Sequence, residues 1–272
     1  MEALGVGRRN KAILVASGQL TQYDGELDDG YYELGLPKRY SVLTTGAQSG
    51  TTNIDLPHLI SDTGAFTAAN KTYTDAGKCG VFKAAGGETI VITGSALNNG
   101  VFTTANATAD TVVFVQAIAD EADAPMTTFA KREAISNNVV VDNETSVRRN
   151  GYPLHWLRYQ PVKMGIAGNG YLPWTGQIYD IFAFCAACNA ASLGGFNDWR
   201  IPNINELNSL VDWEYPSSYP NSTAFPTWPN DWYSSSTTYP NPTTSATRIS
   251  FFAGARTGQA KTIDYFCVLV RG

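Results

Sequence analysis

The run Gly194-Gly195-Phe196-Asn197-Asp198-Trp199-Arg200-Ile201-Pro202-Asn203-Ile204-Asn205-Glu206-Leu207-Asn208-Ser209-Leu210-Val211-Asp212 constrains the fold more than any other part of this chain. Gly194 and Gly195 can take the left-handed conformation that ends a helix. Asp198 and Arg200 flank Trp199, whose indole needs a buried face and an acceptor for its N–H. Pro202 keeps the chain extended into Asn203, which has the spacing of a capping box with Glu206. In that box the Asn203 side chain accepts from the backbone N–H of residue 206 while Glu206 reaches back. Ile204, Leu207, Leu210 and Val211 then recur at helical spacing, so a helix stop, a short strand and a capped helix follow one another.

The flanks extend the pattern. Upstream, Tyr179-Asp180-Ile181-Phe182-Ala183-Phe184-Cys185-Ala186-Ala187-Cys188 reads as a cysteine-bearing helix, and downstream Trp232-Tyr233-Ser234-Ser235-Ser236-Thr237-Thr238-Tyr239 reads as a strand. These residues resemble the Lcl C-terminal domain family, whose signature runs GG-x-x-DWR-[LI]-P-x-x-x-EL-x-x-L-x-D and which is a branch of the C-type-lectin-like fold. Val270-Arg271-Gly272 is similar to the family's closing strand and Asp142-Asn143-Glu144-Thr145 to its opening. Ser17-Gly18-Gln19 with Asp28-Asp29-Gly30 is similar to the run that often precedes that opening. The resemblance covers about half the chain and implies an α+β architecture, a C-type-lectin-like C-terminal domain in which Asp198, Trp199, Arg200, Asn203 and Glu206 are structural. It also puts Cys188 at the family's cysteine position. The usual partner position falls on Leu269, so that disulfide is excluded, and Cys267 is the nearest substitute.

With 43% hydrophobic and only 16% charged residues, a chain of 272 residues buries a core and divides into two or three units. Its net charge of −5, with Lys and Arg scattered, supplies no basic stripe for a phosphate backbone, which argues against nucleic-acid binding. The richness in Gly, Tyr, Phe and Trp beside Thr, Ser and Asn points to β-structure, long loops and an aromatic, polar surface suited to binding. Near the start, Arg8, Arg9 and Lys11 precede an apolar run, Ala12-Ile13-Leu14-Val15, too short for a secretion signal. No stretch is long enough to span a membrane as a helix. A protein of this kind that works outside a cell is expected to leave by another route, such as lysis.

Residues 1–43, with acidic turns and the extended Pro37-Lys38-Arg39-Tyr40 segment, read as an N-terminal attachment arm. Residues 44–133 read as a β-rich inserted module, with strands at 88–93, 100–104 and 111–116 and turns at Gly86-Gly87 and Asn98-Asn99-Gly100. Its Ile92 to Phe114 run resembles small β modules of bacteriophage structural proteins. Residues 134–272 form the C-terminal domain, with helices expected at 177–192 and 204–211 and a Pro-, Tyr- and Ser-rich loop at 214–244. A closing hairpin is expected from Thr247–Phe252 and Thr262–Val270, the second being a central strand with Ile263, Tyr265, Cys267 and Leu269 on one side.

Little in the chain suggests catalysis. His58 and His155 have no ligand-type neighbours at useful spacing. Cys185 and Cys188 form a C-x-x-C, but within an apolar-faced helix shared with Ile178, Ile181 and Phe182 rather than at a helix N-terminus, so packed core thiols are favoured over redox chemistry or zinc. Asp198, Glu206 and Asp212 read as an anchor, a cap and a loop contact. Trp228-Pro229-Asn230-Asp231-Trp232 invites comparison with a calcium-and-sugar loop, but Pro-Asn-Asp is turn chemistry, and no metal or cofactor is expected. Tyr215, Tyr219, Trp228, Asn230, Asp231, Trp232, Tyr233 and Tyr239 are the candidate binding residues. Rigid rings among small donors have the composition of a contact surface, and equally of a loop that covers its own core.

The expectation is a non-enzymatic surface protein of a bacteriophage virion, a tail fibre, spike or capsid decoration. Its partners would be other virion proteins and a host glycan or protein receptor. It would be a homo-oligomer with no nucleic-acid binding and no membrane insertion. The alternatives are a bacterial surface adhesin of the same family, which needs an export signal, and a relative of formylglycine-generating enzymes, which needs a reactive cysteine pair in an open cleft.

Overall fold

The computed structural model describes residues 40–43, 45–122, 125–143, 153–158, 171–212, 220–226 and 228–272. In chain order the strands are β1 (Tyr40–Leu43), β2 (Thr51–Ser61), β3 (Ala65–Thr67), β4 (Thr72–Thr74), β5 (Thr89–Thr93), β6 (Gly100–Ala107), β7 (Thr111–Phe114), β8 (Thr127–Ser136), β9 (Val139–Asp142), β10 (Leu154–Leu157), β11 (Leu172–Pro173), β12 (Trp232–Thr238), β13 (Ser245–Ser250), β14 (Arg256–Ala260), β15 (Asp264–Tyr265) and β16 (Val270–Arg271). Two α-helices, α1 (Ile181–Ala190) and α2 (Ile204–Asn208), are the only ones among the described residues. The protein is therefore mainly β, built from several antiparallel sheets, and not the expected α+β fold; it does not show the lectin-like fold that the resemblance implied.

The physical reason lies in the length of the helical runs. Asp180 caps α1 by accepting from the N–H groups of Phe182 and Ala183, which starts the helix later than expected, and Ser192 in a left-handed conformation follows its end. Its buried face is Ile181, Phe184, Cys185 and Cys188, at i, i+3, i+4 and i+7. Ile178 and Phe182, expected on that face, are each 40% exposed. The second helix stops at Asn208. The Val-, Thr-, Ile- and aromatic-rich remainder is left to strands.

Residues from 51 to 136 make a seven-stranded sheet in the order β2-β8-β5-β6-β7-β4-β3. The strands expected at 88–93, 100–104 and 111–116 correspond to β5, β6 and β7, whereas the long β2 and β8 were hidden in Thr- and Ala-rich sequence. Pro57 is tolerated within β2 because the ladder breaks there: Pro57 pairs with Ala130 and Leu59 with Phe129, which leaves His58 as an extra residue in a bulge. The bulge changes which side of β2 is buried. Before it, Ile54 and Leu56 pack with Leu157, Phe184, Trp199 and Leu269; after it, Leu59 packs with Ile90, Ile92 and Phe129. One core therefore crosses the expected boundary at 133/134. The boundary at 43/44 is crossed as well, since β1 pairs with β9 in a four-stranded sheet, β1-β9-β10-β16. The rest of the expected arm lies outside the described residues, as do Ser17-Gly18-Gln19 and Asp28-Asp29-Gly30.

The expected closing strand is divided. After β13 and β14 the chain makes only the two-residue β15 and β16, and Phe266 to Leu269 run between two cores. Cys267 and Leu269 face the core around α1, while Phe266, Val268 and Val270 face a second core with Trp156, Leu210 and Tyr233. The alternation is that of a central strand. Its hydrogen bonds go instead to scattered partners, including Ser234 N–H to the Phe266 carbonyl at 2.9 Å and Leu157 N–H to the Leu269 carbonyl at 2.9 Å.

The 194–212 run holds the C-terminal half together. Trp199 is 3% exposed, and its Nε1 donates to the Leu193 carbonyl at 2.9 Å. Asn203 and Glu206 form the reciprocal capping box. Glu206, buried at 4% exposure, also receives both terminal nitrogens of Arg200 at 2.7 Å. Arg200 in turn exchanges backbone hydrogen bonds with Val270 at 2.9 Å, which ties the cap to the last strand. Asp198 accepts from Arg271 Nε at 2.6 Å, and that bond holds its carboxyl below the usual range.

Candidate functional site

Strands β12, β13 and β14 form a three-stranded antiparallel sheet near the C-terminus. Directly paired residues share a face, so Tyr233 and Ile249, opposite each other and fully buried, define the inner side. Trp232 and Arg248 alternate with them and stand on the outer side. The Arg248 guanidinium carbon lies 4.1 Å from the centre of the Trp232 ring and 4.2 Å from that of Tyr265. A planar cation is thus held between two half-buried aromatic rings, an arrangement each ring stabilises by about 0.5–2 kcal/mol.

Burial lowers the Arg248 pKa, while Tyr265 and Asp231 act in the opposite direction; a guanidinium stays charged at neutral pH. No carboxylate pairs with it among the described residues, and its buried Nε finds no hydrogen-bond partner among them. The nearby Asp231 is otherwise engaged. It accepts a short hydrogen bond from the Tyr171 hydroxyl and another from the Trp232 N–H at 2.7 Å. The bond to Asp231 pushes the Tyr171 hydroxyl up to about 12. Asn230, at the edge of this face, is exposed. Further along β12, Lys261 Nζ sits 4.1 Å over the Trp174 ring, whose Nε1 donates to the Ser235 carbonyl at 2.8 Å. The outer side therefore offers flat apolar rings beside fixed cations. Such a surface can stack on a ring or sugar face and donate to oxygens.

The protein comparisons bear on this half of the chain. Residues 138–271 match the family model of the Lcl C-terminal domain. The match supports the family to which the motif residues pointed, and it takes in β9 to β16 with both helices. No curated protein and no solved structure matches the chain.

Within the matched region and its loops, the eight candidate binding residues fall into different environments. Trp228 and Tyr233 are core. Their rings stack at 4.7 Å, and Phe251 packs edge-on to both at 5.0 and 5.1 Å. Tyr233 is 0% and Trp228 7% exposed. Tyr239 is half-buried against Gly258, where any Cβ would lie 2.4 Å from its ring. Asn230, Asp231 and Trp232 lie together at the cation–aromatic face. Tyr215 and Tyr219 lie outside the described residues.

Sequence reasoning missed Arg248 and Tyr171 and placed Tyr265 in a core strand. A lone Arg alternating with Thr247, Ile249 and Phe251 in a strand was the available signal. Its ring partners come from two other strands, and that register is not written locally.

The thiols are closed off from solvent. All four cysteines are free and buried. Burial pushes the Cys79 and Cys185 thiols up to about 11 and raises those of Cys188 and Cys267 well above the ordinary thiol value. Cys185 donates to the Trp199 carbonyl at 3.1 Å. Among the described residues no group of three or more His, Cys, Asp or Glu side chains could hold a metal ion. Burial also lowers the His155 pKa, while its ring bonds the Pro153 carbonyl at 3.1 Å.

Proposed function

We propose that this is a non-enzymatic contact protein of a bacteriophage particle, and that its Lcl half binds a host receptor or a neighbouring subunit through the Trp232–Arg248–Tyr265 face. The observation that carries the reading is the charged guanidinium clamped between two rings, its buried Nε without a hydrogen-bond partner among the described residues. Held in one geometry before binding, such a group loses little freedom on contact, and aromatic and arginine side chains are the commonest anchors of interfaces. Burial of all four thiols speaks against formylglycine-type cysteine chemistry, which needs an accessible thiolate. The particle assignment rests on the phage-like run from Ile92 to Phe114.

Adsorption competition tests the proposal. Purified protein, preincubated with host cells, should reduce the adsorption of particles that carry it, and an antibody against 138–271 should label intact particles. Particles that fail to label, with cells that still bind the protein, would favour the bacterial adhesin.

A further inference from the structure

Between the seven-stranded sheet and the Lcl half lies a groove of about 490 Å³, lined by His58, Ile60 and Val81 on one side and by Gln177, Tyr179 and Asp180 on the other. His58 is the extra residue of the β2 bulge, and the bulge aims its ring across the seam. There it stacks on Tyr179, with ring centres 5.0 Å apart and planes 20° from parallel. His58 Nδ1 lies 3.0 Å from the Leu56 carbonyl, which can only accept, so Nδ1 carries the hydrogen and Nε2 is left as an acceptor. Nε2 is buried and meets no hydrogen-bond partner among the described residues.

The charged groups around the stacked ring are mostly engaged with other partners. On β8, Lys131 is bound 3.2 Å from both Glu88 and Glu133. Lys78, beside the turn that carries Val81, is taken by Asp75, Ser61 and Thr63. On the Lcl side, Asp264 acts on Tyr179, and Asp180 uses Oδ1 to cap α1. We propose that His58 is a proton-operated latch: neutral, it stacks on Tyr179 and closes the seam; protonated, it leaves the stack for the groove, where water and the Asp180 carboxylate receive it, and the seam loosens.

Burial is the main cause that lowers the His58 pKa to about 4, with Lys131 adding to it against the Leu56 carbonyl and Glu88. A ring freed into water returns to about 6.5. The closed seam thus disfavours the proton by about 300-fold. Closure is at full strength above pH 6.5, weakens as pH falls from 6.5 towards 4, and loses nothing further below that.

The chain has only two histidines, so NMR of ring-labelled histidine in the full chain gives two signals, assigned by His155→Gln. The His58 signal should titrate well below 6. Hydrogen-exchange protection over 52–60 and 172–180, corrected for intrinsic rates, should fall at least tenfold between pH 7 and pH 4 while that over 245–260 holds. His58→Phe keeps a ring on Tyr179 and takes no proton, so its protection should not change with pH. Titration of His58 near 6.5, titration without loss of protection, or an equal loss in His58→Phe would each overturn the latch. If His58→Phe does not fold, the titration and exchange of the unaltered chain decide alone.

Discussion

Replacing Trp228 separates a core role from a contact role. Its ring is 7% exposed and packs against Phe225 at 5.2 Å, Tyr233 at 4.7 Å and Phe251 at 5.0 Å. Truncation of a buried aromatic to Ala costs about 3–5 kcal/mol through lost transfer energy and the cavity left behind. The indole Nε1 has no partner among the described residues. Removing that donor returns roughly 1–3 kcal/mol of desolvation, so Trp228→Phe, which keeps most of the ring volume, should be nearly neutral. At about 2–4 °C per kcal/mol for a domain of this size, Trp228→Ala should lower Tm by roughly 6–20 °C and Trp228→Phe by only a few degrees. Thermal melts followed by near-UV circular dichroism measure both. A Trp228→Ala protein that melts with the wild type would show that the ring is not core and would restore it to the list of contact residues.

Glu206→Gln should cost about 1–3 kcal/mol in urea unfolding, because it weakens two charge-assisted bonds from Arg200 and half of the capping box together; a loss under about 0.5 kcal/mol would contradict that reading. Leu56→Ala should cost about 2–5 kcal/mol and raise hydrogen exchange in α1, since Leu56 reaches the core around α1; unchanged exchange in α1 would show that the two halves do not share a core. A thiol reagent at pH 8 should leave the native chain unlabelled and label all four cysteines in denaturant; fast native labelling would show an accessible thiol.

The 194–212 run was legible because its signals are local. A capping box needs only residues three apart, and Trp199 with Arg200 and Glu206 closes within one turn and one strand. The β2–β8 ribbon was not legible, because its alternation is broken by the His58 bulge and diluted by Thr and Ala. The two faces of β2 serve different cores, so no single period describes it. The aromatic loop was ambiguous by composition, and burial divides it: Trp228 and Tyr233 turn inwards and Trp232 outwards. Arg248 becomes a candidate only when β13 is placed between its neighbours, which is long-range information.

The most direct test of the contact face is binding by Trp232→Ala and Arg248→Lys proteins to host cells, each checked first for an unchanged fold by circular dichroism. Arg248→Lys keeps the charge but loses the planar group that the rings clamp. Both should weaken attachment at least about tenfold, equivalent to roughly 1.4 kcal/mol, with Tm within a few degrees of the wild type. Folded variants that attach as well as the wild type would contradict the assignment of binding to this face.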